Sequence, residues 1–246
     1  LEVQIKDLRK VQLNNPLFII SFPSVGMAGL IAADHIVQEL GMDEVAFVDS
    51  EGVPPYTTVE VGRLKRPIRI CVNEKKNLFI MIGSIFVPPS LINPLSDVLI
   101  EWLKKQGVRE VVALAGASSI KLGEAASKVV CAATDDACVD MKQKGLEIMD
   151  SGLITGLAGA LLVKCGENGI RGITLLTEAA DNKPDVEAAL KLIRTLNDLY
   201  NLKIDTSQVS EEVEQLKQQF NNMVKQYSLE KKRAGVKEEG KKSFYI

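Results

Sequence analysis

Four short, mostly apolar runs that read as buried strands, Leu17–Ile20, Val45–Val48, 110–115 and Ile170–Leu176, constrain this chain more than any other feature. None shows the strict alternation of a strand with one wet face, so both of their faces must be covered. That is the situation of strands in a parallel sheet held between layers of helix. Stretches of helical period separate them. Leu91, Leu95, Val98, Leu99, Trp102 and Leu103 recur at helical spacing after Pro88-Pro89, with Ser90 as the expected cap and Gly107 as the stop. The segment 26–40 lies between the first two runs and completes a βαβ unit, and Asp185 to Tyr200 forms a further amphipathic helix. Runs 68–72 and 78–82 flank a polar turn and predict a hairpin, while Tyr56 to Val61 and Val129 to Ala133 read as additional strands. Residues 1–16 read as an edge strand or lead-in. The small residues of 155–162 require that helix to approach a neighbour closely. The expected fold is α/β, with a mostly parallel sheet flanked by helices over residues 1–204.

With 46% hydrophobic and 25% charged residues, the chain can bury a sizeable core. Its formal net charge of -2 leaves no basic excess for counterion release, so nucleic acid is not expected as a partner. Cys71, Cys131, Cys138 and Cys165 are widely spaced in apolar surroundings and read as reduced core thiols of a cytoplasmic protein. No apolar run reaches membrane-spanning length and no signal peptide is evident at the start, so no membrane partner is expected.

Each candidate for chemistry has a plainer reading. Gly26 and Gly29 follow a strand and open a helix, as in phosphate sites, but there is no Gly-x-Gly-x-x-Gly and no Gly-Lys-Ser/Thr. A tight turn with close helix–sheet packing through Gly29, Ala32 and Ala33 fits better. Asp135-Asp136 at a helix start suits capping more than acid–base work. His35 is the sole histidine and sits mid-helix, and a zinc site would need scattered carboxylates. Gly116-Ala117-Ser118-Ser119 is not a nucleophile elbow. No catalytic residue, cofactor or metal is therefore expected, and the chain does not read as an enzyme.

The C-terminal portion differs in kind. Val209, Val213, Leu216, Phe220, Met223 and Tyr227 form a heptad seam over a helix expected at 205–227. Residues 228–246 follow as a flexible charged tail; Ser228 to Ser243 holds nine charged residues and two glycines. It ends in Phe244-Tyr245-Ile246, which offers an apolar side chain, a phenol and a carboxylate. The heptad seam and the small-residue helix together suggest a homo-oligomer.

These pieces resemble the proteasome assembly chaperone family, in particular archaeal homologues of the second eukaryotic assembly chaperone. The matching stretches are Phe22-Pro23-Ser24-Val25-Gly26-Met27-Ala28-Gly29, Pro54-Pro55, Pro88-Pro89 and 152–159, with the terminal Phe244-Tyr245-Ile246. The resemblance implies a three-layer fold similar to nucleoside phosphorylases without their activity. It also implies a homo-oligomer that assembles or activates the proteasome α ring without ATP. The terminus looks like the hydrophobic-Tyr-X (HbYX) motif, which docks between neighbouring α subunits of the core particle. On that likeness the terminal carboxylate would meet a pocket lysine and Tyr245 a gate-controlling turn. A small-molecule enzyme or binder using the Gly26–Gly29 turn on a phosphorylase-like scaffold is the alternative.

Overall fold

A computed structural model describes residues 2–55, 57–60, 62–118, 128–181, 183–207 and 209. Of the helix expected at 205–227, residues 205–207 are not helical and Val209 is, while 208 and 210–227 lie outside the described residues, as do the tail 228–246, with Phe244, Tyr245 and Ile246, and Ser119.

The strands are β1 (Val3–Asp7), β2 (Leu17–Ser21), β3 (Asp43–Ser50), β4 (Thr58–Glu60), β5 (Arg63–Lys65), β6 (Ile68–Asn73), β7 (Leu78–Gly83), β8 (Glu110–Ala117), β9 (Val129–Ala133), β10 (Glu147–Ile148) and β11 (Arg171–Glu178). The helices are α1 (Ala28–Glu39), α2 (Pro89–Lys105), α3 (Asp135–Gln143), α4 (Gly156–Glu167) and α5 (Val186–Tyr200). Nine strands form one sheet in the order β1-β3-β6-β7-β2-β8-β11-β9-β10, and β4-β5 is a separate hairpin.

The centre of the sheet is parallel, as its buried runs require: β7, β2, β8 and β11 pair in parallel. The flanks turn antiparallel. On one side β6 and β7 form the expected hairpin, and β3 joins β6 antiparallel with β1 outside it. The 45–48 run thus sits in an antiparallel arm. Its strand is eight residues long and only its middle is buried, a half-wet pattern that the four-residue apolar stretch concealed. On the other side β9 runs antiparallel to β11 and pairs in parallel with the short edge strand β10.

Helices cover both faces. On one, α1, α3 and α5 pack Ile31, Ala137, Met141 and Leu192 against Ile19, Ile80 and Leu175. On the other, α2 and α4 pack Leu95, Leu99, Leu161 and Cys165 against Phe18, Phe79 and Val111. Trp102 meets Phe79 and Phe18 edge-on, with centroids 5.2 and 5.9 Å away, and its Nε1–H donates to Asp7 Oδ1 at 2.8 Å. Pro89, expected to precede α2, occupies its first turn, where the fixed φ suits a helix and no N–H is missed. The small-residue helix α4 finds its close neighbour within the chain: a Cβ at Gly172 of β11 would lie 2.9 Å from Cys165 Cβ.

One buried ion pair ties α1 to the antiparallel arm. Arg69 Nη2 lies 3.2 Å from Asp34 Oδ1 with both side chains at most 10% exposed, and Gln38 donates to the other Asp34 oxygen at 2.7 Å. Asp34→Ala leaves the guanidinium buried without its charge partner and is expected to cost about 3–5 kcal/mol. Asp34→Leu with Arg69→Met should cost less than that single change. Urea unfolding of the three proteins checks the order.

Candidate functional site

The turn after β2 is built for packing. Ser24 Oγ accepts the Gly116 N–H at 3.0 Å, and Ser21 Oγ donates to the Leu114 carbonyl at 3.2 Å. The chain then passes through positive φ at Gly26 (61°) and Met27 (52°) to enter α1. Neighbouring chain fills the space around it. A Cβ at Gly26 would lie 2.7 Å from Ala179 Cβ, one at Gly116 would lie 2.0 Å from the Val25 carbonyl oxygen, and one at Gly29 would lie 2.2 Å from that of Leu114. Asp185 closes the turn from above. Its N–H donates to the Gly26 carbonyl at 2.8 Å, and its carboxylate accepts from Ala180 N–H at 2.9 Å and Ala188 N–H at 3.0 Å. The space a phosphate would need at this helix start is occupied by Ala179, Ala180 and Asp185.

The remaining chemistry candidates are also satisfied structurally. Asp136 accepts from Thr134 Oγ1 at 2.9 Å; that bond above all holds its carboxyl below the usual range, although burial opposes it. His35 is buried, and its Nε2 lies 2.6 Å from the Asp205 carbonyl. Burial pushes the thiols of Cys71 up to about 11 and of Cys131 and Cys165 up to about 12. At pH 8 a thiol reagent should therefore label the half-buried Cys138 first and spare the other three until guanidinium unfolds the protein. Rapid modification of more than one thiol in the native state would contradict this packing.

What the structure builds with care is the root of the C-terminal segment. After α5 the chain turns through Asn201 (φ 51°) and Lys203 (φ 56°) and is strapped back across the α1–α5 face. Lys76 donates to the Leu202 carbonyl at 2.7 Å, Asn197 exchanges two hydrogen bonds with Ile204 at 2.9 and 3.0 Å, and His35 holds Asp205. Leu202, Ile204 and Val209 are buried in the cluster beneath. Val209, the first residue of the heptad seam, therefore packs on the body. The three terminal residues named as the docking site lie outside the described residues. Sequence reasoning missed the clamp because its partners, Lys76, His35 and Asn197, are scattered over more than 120 positions.

Among the described residues no three His, Cys, Asp or Glu side chains gather as a metal site. No helix among them is long and apolar enough to cross a membrane.

These features define a class: a layered α/β body whose Gly26–Gly29 turn is filled by neighbouring chain and whose C-terminal segment starts from a built clamp. Residues 18–224 match the model of the PAC2 family. The chain belongs to that family, the proteasome assembly chaperone family. It is similar to Pyrococcus furiosus PbaA, an archaeal homologue of proteasome-assembly chaperone, with a TM-score of 0.82 and 29% identity over 94% of this chain and 100% of that one. Pyrococcus furiosus PbaB, an archaeal proteasome activator, shares the fold at a TM-score of 0.72 and 22% identity, over 90% of this chain and 98% of that one. An uncharacterised protein of Methanocaldococcus jannaschii is 28% identical over 218 residues, 89% of each chain.

Proposed function

We propose that this protein is an ATP-independent chaperone or activator of the proteasome that docks its C-terminal residues into pockets between α subunits of the core particle. Family membership over residues 18–224 carries the reading, and the terminal Phe244-Tyr245-Ile246 supplies the contact. Phe244 would fill an apolar notch, Tyr245 would stack and hydrogen-bond, and the Ile246 carboxylate would pair with a cationic pocket group. The clamp at 201–205, with buried Val209, fixes on the body the point from which the C-terminal segment begins. A cytoplasmic homo-oligomer presenting several tails at once fits a ring of repeated pockets. The filled Gly26–Gly29 turn supports a binding role over the small-molecule enzyme alternative.

The test is hydrolysis of a fluorogenic peptide by purified core particle without nucleotide, together with native-gel assembly of free α subunits. Addition of the intact protein should raise one or both. Failure of both, with the protein folded and in excess, would remove the reading.

A further inference from the structure

Beyond the tail, the structure holds a cleft of about 790 Å³ along the open edge of the sheet, between β10, the end of α3 and the outer face of α5. Val129, Leu146 and Ile148 form its apolar floor; each packs partly buried against the α5-side core. Lys142, Lys191 and Arg194 stand around it, and among the described residues none of the three has an ion-pair partner. Two carboxylates are also present. Glu147 is engaged by Lys128 at 2.8 Å, and exposed Asp150 lies at the far end. Because β10 ends the sheet, its outer backbone groups have no strand partner among the described residues.

We propose that this cleft is a second docking surface, which receives an extended, acidic peptide segment of a partner protein by strand addition to β10. The physical case has two parts. An open edge recognises backbone of any sequence, and side chains of the added strand alternate between faces. Every second one faces α5, where Lys191 and Arg194 select carboxylates and the cleft floor accepts their aliphatic stems. This surface involves no terminal residue, so it stands or falls apart from the tail reading.

The experiment is fluorescence anisotropy on the full chain with labelled octapeptides that alternate valine with glutamate or valine with lysine. The glutamate peptide should bind, and the lysine peptide should not. Reversing two charges with Lys191→Glu and Arg194→Glu should weaken the glutamate peptide about 10-fold or more. Both side chains lie on the solvent side of α5, and circular dichroism checks that the variant is folded; Lys142→Glu, on an exposed site, gives an independent reversal. N-methylation of alternate backbone nitrogens should abolish binding, which charge attraction alone would not require. No binding of the glutamate peptide, or equal binding by both reversed proteins, overturns the proposal. So does equal binding of a single-stranded oligonucleotide, inorganic phosphate displacing the peptide, or a synthetic peptide of residues 228–246 outcompeting it, which would assign the cleft to this chain's own tail.

Discussion

Gly29→Ala is expected to destabilise the protein by about 3 kcal/mol or more, at the upper end of overpacking costs. The added methyl would stand 2.2 Å from the Leu114 carbonyl oxygen and 2.6 Å from its carbon. Both belong to a central strand paired on each side, so they cannot move aside as a flexible side chain would. Either α1 lifts off the sheet, opening the cluster around Ile31 and Ala32, or the β2–β8 pairing shifts. For a chain of this size the melting temperature should fall by roughly 6–12 °C. Gly41→Ala is the control. Its Cβ would meet nothing within 4 Å, so only the cost of a φ of 53° remains, about 1 kcal/mol. Equal melting of the two variants would mean that Gly29 is not a packing glycine and would revive a ligand role for the turn.

Tyr245→Ala is expected to weaken binding to the proteasome core particle by at least ~100-fold. Each terminal engagement buries few side chains, so one tail alone should bind at only about 10–100 μM. If the 18 residues from Leu229 to Ile246 form a flexible tether, its typical span is about 23 Å and its limit near ~60 Å. In the proposed homo-oligomer that reach would let several tails search neighbouring pockets, and linking them would raise affinity by about 10²–10⁴. Alanine at 245 removes the ring and hydroxyl from every tail together, so the intrinsic contact and the gain from linkage vanish at once. Lys241→Ala should change binding less than about 2-fold, because an exposed tether charge contributes little. Surface-immobilised core particle titrated with each variant reads the difference.

The layers of the fold were legible because burial on two faces leaves an unbroken apolar run, as in 17–20 and 111–115, and because Gly107 marks where α2 stops. The packing role of the Gly26–Gly29 turn was legible from the missing phosphate-loop residues. Partners distant in sequence were not. Nothing local announces that His35 reaches Asp205, that Arg69 and Asp34 pair, or that Lys191 and Arg194 overlook an edge strand only two residues long. Such contacts follow from strand order, and the order β6-β7-β2-β8 interposes elements that no single period reveals. The proposed tail site rests on no such distant partners, because Phe244, Tyr245 and Ile246 are consecutive in the sequence.

The most direct measurement is a binding titration of immobilised core particle with the intact protein and with the same protein lacking Phe244-Tyr245-Ile246. Tail docking with avidity predicts half-saturation at or below about 1 μM for the intact protein and no saturation below about 100 μM for the shortened one. Superimposable curves would contradict it.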